Sequence, residues 1–311
     1  EKIDCVIDTL IQKEKQVRTM KKHKKGRRGL KGFLLLTVIF LIGLGIFSYP
    51  FVSNWISKRQ ASRWIGDYEK DIGTLSDEEK KALWTAAVDY NNALSGQPVK
   101  DPFIPGSGVQ LPQNYLEILN VSEVMAYIEI PKISVRLPVY HGVSEEVLEK
   151  GVGHMEGTSF PVGGFGTHCL LTGHTGLPAA KLFTDLTQLE IGDQFYITVL
   201  ETELVYQVDQ VEVIEPDGLG SLYTQPGEDY VTLITCTPYG VNSHRLLVRG
   251  TRVFQMTKTV ALAGETLSAA YILAFAFSAF ITLTLLCICL RDDRRKKRFR
   301  LDITGREAAS G

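Results

Sequence analysis

The sequence predicts a mainly β fold: a closed or nearly closed barrel, preceded by a helical region with a long loop and flanked by two membrane-spanning helices. Three observations carry this expectation. Two uncharged stretches lie towards the ends of the 311-residue chain, each beside a dense basic cluster. Between them, beyond residue 121, short runs rich in Val, Ile, Tyr and Thr alternate with Gly/Pro turns. Charge is segregated as well: residues 32–290 carry 15 basic and 27 acidic residues, whereas residues 13–31 and 291–300 together hold 17 of the 34 Lys and Arg. An acidic body with basic tails argues against nucleic acid as a partner, because such a binder lines a folded face with its cations.

Residues 1–32 form a basic tail that ends in KKHKKGRRGLKG. Residues 33–52 follow as the first span. Its uncharged sequence from Phe33 to Tyr49 would cover about 25 Å as a helix, and Phe51 and Val52 extend it towards a hydrocarbon core of about 30 Å. A cleavable signal peptide is the competing reading, but no A-x-A-like site follows Tyr49. The second span is residues 266–290, TLSAAYILAFAFSAFITLTLLCICL, and residues 291–311 are a second basic tail beginning at Arg291. Positive flanks stay on the cytoplasmic side, so both termini are expected inside and Asn54 to Glu265 outside, with the lipid bilayer as a partner.

Residues 53–120 read as helices and a loop. Trp64, Ile65, Tyr68, Ile72 and Leu75 recur at helical spacing, Ser76 and Glu79 form a capping box, and Ala82, Leu83, Ala86, Ala87 and Tyr90 continue a second helix. The next segment, SGQPVKDPFIPGSGVQLPQN, is dense in Pro and Gly and carries Asp101, Pro102 and Phe103. A loop of that length is a linker, a lid or a binding loop.

Residues 121–258 read as the barrel. Seven strand-like runs are visible: MAYIEIP, VRLPVYHG, GTHCLLTGH, DQFYITVL, TELVYQVDQVEVI, DYVTLITC and HRLLVRGTRV, with one short helical candidate near Lys181 to Leu186. In the longest run the inward set Leu204, Tyr206 and Val208 gives way to Val211 and Val213, of opposite parity. A regular strand cannot switch faces, which predicts a bulge near Asp209 and Gln210.

Chemistry concentrates at strand ends. Cys236 closes an apolar strand just before Pro238 and Gly240, a junction that can hold a thiol rigidly yet near solvent. Cys169 lies mid-strand and reads as an inert core thiol. His174 leaves its strand between Gly173 and Gly176. Arg245 begins the strand after Cys236, and Arg249 shares its face by period two, so spacing leaves the choice of arginine open. Together these residue types supply a thiolate nucleophile, a proton donor and a cation for developing negative charge. The other histidines read as bland: His23 in the basic cluster, His141 and His154 in turns, His168 on a strand, His244 beside Arg245. The exterior region holds just Cys169 and Cys236, so no disulfide framework is expected. No ligand set for a catalytic metal is visible, and no cofactor is expected.

At this point the sequence resembles a known family. TLITC matches the T-L-x-T-C signature of sortases, the membrane-anchored cysteine transpeptidases of Gram-positive cell surfaces, and TGHTG matches their histidine motif. The likeness runs from about Ala126 through Val253. The second span and the Asp-Pro-aromatic motif at Asp101, Pro102 and Phe103 resemble the pilin-polymerising class C, with Phe where Trp is also common. The resemblance implies an eight-stranded barrel, a lid carrying Asp101, Pro102 and Phe103, and catalytic roles for His174, Cys236 and Arg245. It implies cleavage of an LPxTG-like sorting signal between Thr and Gly through a Cys236 thioester, then transfer to a pilin lysine amine. Pilin subunits would be the protein partners. The rival expectations are a housekeeping sortase that anchors proteins to cell-wall peptide, and a membrane-tethered surface protein with an inert Cys236.

Overall fold

The computed structural model of the chain describes residues 2–94, 114–177, 180–222 and 224–254. The loop bearing Asp101, Pro102 and Phe103 and the second apolar stretch, 266–290, lie outside the described residues.

The N-terminal half of the helical region is one continuous helix, α1 (Lys2–Ile72), which runs through Pro50. Among the described residues it contains the one helix segment, Leu35–Ile72, long and apolar enough to cross a membrane, and none of its most apolar window is buried. Beyond the apolar stretch the helix meets the barrel. Ala61, Ile65, Tyr68 and Ile72 recur at four- and three-residue steps and are all buried, so one stripe packs on the barrel. The Tyr68 hydroxyl donates to the Met125 carbonyl at 3.0 Å and accepts the Leu200 N–H at 2.9 Å, so its burial leaves no polar group unsatisfied. Helix α2 (Asp77–Ala93) begins at the expected capping box: the Glu79 N–H donates to Ser76 Oγ and the Ser76 N–H to Glu79 Oε2. At its other end Asn91 clasps the backbone of Phe160, accepting its N–H at 2.7 Å and donating to its carbonyl at 3.1 Å.

Eight strands form the barrel: β1 (Ala126–Ile130), β2 (Val135–His141), β3 (Val152–His154), β4 (Thr167–Thr172), β5 (Gln194–Val199), β6 (Thr202–Ile214), β7 (Asp229–Thr237) and β8 (His244–Val253). It closes in the order β1-β2-β3-β4-β7-β8-β6-β5. The β2–β3 and β4–β7 pairs are parallel and the other pairs antiparallel. Phe195 and Tyr206 stack at 5.6 Å inside. Gly250 lies against them, where an added Cβ would come within 2.6 Å of the Phe195 ring. The interior there is filled by aromatic rings that leave no room for a side chain on β8.

The structure corrects several expectations. β3 is an eighth strand that the seven runs missed, because three residues are too few to show alternation. His141 and His154 end β2 and β3 rather than sitting in turns. The short helical candidate is a 3-10 turn at Thr184–Gln188, and a further short helix, α3 (Glu145–Lys150), was not anticipated. The bulge in β6 is present, with the register shifting between Val208 and Gln210. Its consequence differs from expectation: Val211 and Val213 face the same side as buried Val248 and Leu246 but are 40% and 56% exposed, because β5 pairs with β6 no further than Gln207.

Candidate active site

Cys236 and Arg245 are direct cross-strand partners in the β7–β8 ladder, so their side chains leave the sheet on the same face. By alternation that face is also the one bearing Ile234 and Leu247, which join Met155, Leu170 and Leu219 in a small apolar cluster outside the barrel core. The thiol thus sits at the margin of an apolar patch, with 9% of the residue exposed. Arg245 is 5% exposed, and its Nη1 donates to the carbonyls of Asn242 and His244 at 3.2 and 3.1 Å. These bonds tie the guanidinium to the β7–β8 turn.

His174 reaches the same place from β4. The parallel β4–β7 register pairs Thr172 with Ile234. It continues past the strand end, because the Gly173 N–H donates to the Ile234 carbonyl at 3.0 Å and Thr235 Oγ1 donates to the Gly173 carbonyl at 2.7 Å. Continued two residues along each strand, this register sets His174 beside Cys236. Glycine at 173 is required: a Cβ would stand 2.9 Å from the buried Phe183 ring, whose own N–H donates to the His174 carbonyl at 3.1 Å. The three residues singled out from sequence are therefore brought together at one end of β4, β7 and β8.

The imidazole is 15% exposed, and its Nε2 lies 3.3 Å from Oε1 of Glu145, the first residue of α3. The contact is at ion-pair distance without the alignment of a hydrogen bond. Sequence gave no hint of Glu145, since 29 residues separate it from His174 and α3 is too short to show periodicity.

The remaining candidates take structural positions. Cys169 faces the barrel interior, and burial pushes its thiol well above the ordinary range, which makes it a poor nucleophile. Arg249 is engaged by Asp209 through two hydrogen bonds and lies over the Tyr230 ring. His168 Nε2 lies 2.7 Å from Thr232 Oγ1, His141 Nε2 2.7 Å from the Ile118 carbonyl, and His244 Nδ1 2.8 Å from Ser243 Oγ. His154 is wholly buried between Tyr115 and the Ser159 carbonyl.

Residues 128–253 match the sortase domain family. Over 152 residues the chain is 32% identical to sortase A of Bacillus anthracis, covering 48% of this chain and 70% of that protein. Among solved structures it is similar to sortase C-1 from Actinomyces oris, at 49% identity and a TM-score of 0.55, over 57% of this chain and 99% of that one. It is similar also to the pilus-related sortase C of Group B Streptococcus, at 44% identity and a TM-score of 0.57, over 60% of this chain and 96% of that one.

Proposed function

The chain belongs to the sortase family of cysteine transpeptidases, and from that membership we propose that Cys236, His174 and Arg245 carry out acyl transfer from an LPxTG-like sorting signal to a pilin lysine. The observation that supports this most is the ladder register that sets Arg245 opposite Cys236 and His174 one strand over.

The Cys236 thiolate attacks the Thr carbonyl of the Thr-Gly bond, and the carbonyl oxygen takes up negative charge. Arg245, held from the β7–β8 turn, stabilises that oxyanion and orients the peptide. As the C–N bond breaks, His174 gives a proton to the departing glycine amine, leaving a thioester on Cys236. A lysine amine then attacks the thioester carbonyl, His174 recovers a proton, and the thiolate leaves as the isopeptide bond forms. The apolar patch beside Cys236 limits water as a competing acceptor.

The pilin-polymerising reading draws support from the 44–49% identity to sortase C structures, one of them described as pilus-related. It draws support also from the Asp101-Pro102-Phe103 sequence and the second apolar stretch. The apolar segment of α1 serves as the anchor, with the barrel on the extracytoplasmic side and residues 266–290 returning the chain to the membrane. The test is to mix the full chain in detergent micelles with an LPxTG peptide and search for a Cys236 thioester by mass spectrometry. An adduct that disappears in Cys236→Ala is expected. Absence of any adduct, including in chains carrying Asp101→Ala and Phe103→Ala, would reject the transpeptidase mechanism.

A further inference from the structure

The continuity of α1 makes it a ruler along the membrane normal. The uncharged run begins after Lys31, and about 20 helical residues cross a hydrocarbon core, which brings the apolar boundary to about Val52. Ser53–Ser57 then occupy the headgroup layer, where Trp55 is half exposed with the Arg59 guanidinium 4.9 Å over its ring. At this height the barrel already touches the helix: the Lys181 N–H donates to Asn54 Oδ1 at 3.0 Å. Lys58 Nζ approaches the Ser134 carbonyl at 3.5 Å. Tyr68, which binds Met125 and Leu200, stands about 21 Å further along the axis than Asn54.

These contacts tell the two ends of the barrel apart, and the ladders carry the distinction round to the site. β1 runs from Met125, at the Tyr68 end, towards Ser134. β5 is antiparallel to β1 and β6 to β5, so β6 begins far from the lipid and ends near it at Ile214. Arg245 pairs with Ile214 and Cys236 with Arg245. β4 is parallel to β7, so it too ends on the near side, and His174 is bound through its carbonyl to Phe183, two residues from Lys181. All three residues of the site therefore stand at the end of the barrel nearest the apolar segment.

Exposed apolar side chains collect there. Ile191 (72% exposed), Val213, Tyr239 and Val241 (the last two 69%) project from the loops and strand ends on the near side. Tyr239 also lies against Gly176 of the His174 loop, where an added Cβ would be 3.4 Å from its ring. The exposed pair Phe165 and Phe254, 6.2 Å apart, marks the opposite end.

We propose that the catalytic end of the barrel rests on the bilayer surface, with lipid headgroups as the partner of the β4–β5 and β7–β8 connections. The inference rests on the anchoring role given above to α1. A substrate anchored in the same bilayer then meets the site within a thin layer, at a high effective concentration.

The test places the full chain in lipid vesicles, with a fluorescent amino acid replacing Ile191 or Tyr239 at one end and Phe165 or Phe254 at the other. The exposure of these positions makes the replacements tolerable to the fold, and two positions per end guard against a local failure. Vesicles with a nitroxide on the lipid headgroup should quench fluorescence strongly at 191 and 239 and leave 165 and 254 at the level of unlabelled vesicles. Equal quenching at both ends, or stronger quenching at 165 and 254, overturns the proposal while leaving the anchor in place. A chain that does not float with the vesicles overturns both the anchor and the orientation. Cleavage of a soluble LPxTG peptide by the same vesicles checks the transpeptidase reading independently of the quenching result.

Discussion

Asp209, the residue that the β6 bulge pushes out of register, holds Arg249 through two hydrogen bonds of 3.0 Å each. Thr251 Oγ1 donates to the same carboxylate at 2.7 Å, and the Tyr230 ring lies 4.4 Å from the Arg249 guanidinium carbon. The bulge thus distinguishes two arginines that period-two spacing leaves equivalent and favours Arg245 for the proposed role: the guanidinium fork of Arg249 is held by Asp209, whereas Arg245 is the cross-strand partner of Cys236.

Arg245→Ala is therefore expected to lower kcat for peptide cleavage by about 10²–10³, the loss typical of removing an oxyanion donor. Arg249→Ala should leave kcat within a few-fold and instead lower stability by about 1–3 kcal/mol, as for a charged hydrogen-bonded partner. Steady-state kinetics beside thermal melts separate the two effects. Full activity in Arg245→Ala with loss in Arg249→Ala would reverse the assignment.

In the proposed mechanism Cys236 and His174 serve one proton-coupled step, so their effects should not add. Cys236→Ala and His174→Ala are each expected to bring cleavage near background, and the double variant to lose little more. Cys169→Ala should keep activity close to the wild type, because its thiol faces the barrel interior. Site-resolved mass spectrometry of the acyl-enzyme gives the check: an adduct on Cys169, or one persisting in Cys236→Ala, would contradict the single-nucleophile mechanism.

Acid sensitivity should trace to His154. Its ring is stacked on Phe160 at 5.1 Å, with Tyr115 Oη 2.9 Å from Nδ1 and the Ser159 carbonyl 2.9 Å from Nε2. Complete burial pushes its pKa down to about 3, whereas in the unfolded chain it takes its proton near the usual value of about 6.5. Between those values the unfolded state binds the extra proton, so this contribution is fully present above about pH 6.5 and is lost as pH falls towards 3, by at most about 1.4 kcal/mol per unit. His141, also lowered by burial, acts in the same direction. Asp229 and Glu156, whose carboxyls burial holds above their ordinary range, act in the opposite one. Urea denaturation between pH 7 and 4 should show a shallower pH slope in His154→Gln than in the wild type. Identical slopes would remove His154 as the source.

What the sequence revealed, and what it hid, follows from the range of each interaction. The Ser76–Glu79 box is local and reads directly. The bulge reads from a change of parity within one strand, although the exposure of Val211 and Val213 depends on where a different strand stops. Cys236 and His174 stand out as candidates because each lies at a strand exit close to glycine or proline, and Arg245 because it opens the strand that follows Cys236. Glu145 and the burial of His154 are set by Tyr115 and α3 folding back from distant parts of the chain, and no pattern within either segment announces them. The glycines beside His141 and His154 suggest turns, but the Gly142 N–H donates to Tyr115 Oη, and a Cβ on Gly153 would meet the Gly142 carbonyl at 2.4 Å. Close packing explains Gly153, which lies within β3, whereas Gly142 supplies the φ of +75° at the bend that ends β2.

The last prediction concerns the loop that carries Asp101 and Phe103. The described residues on either side of it converge on Phe160: Asn91 clasps its backbone, and the Tyr115 ring stacks on it at 5.5 Å. Phe160 lies towards the start of β4, since the Ser159 N–H donates to the His168 carbonyl, whereas Cys236 and His174 lie at the other end. Seven residues separate Leu94 from Asp101, an extended reach of about 23–25 Å. β4 itself rises about 20 Å over its six residues. That reach is of the same order as the rise of β4, in keeping with the lid expected from sequence, in which Asp101 pairs with Arg245 and Phe103 covers the Cys236 thiol. A lid that occupies the peptide's place lowers apparent substrate affinity by the fraction of molecules that are open. Asp101→Ala and Phe103→Ala should then speed labelling of Cys236 by a small thiol reagent and lower the KM for the sorting peptide. Labelling followed peptide by peptide with mass spectrometry in the full chain uses buried Cys169 as the internal reference. Unchanged rates at Cys236 in both variants would remove the lid and leave the transpeptidase chemistry untouched, whereas equal acceleration at Cys169 would mean that the substitutions loosen the barrel rather than uncover the thiol.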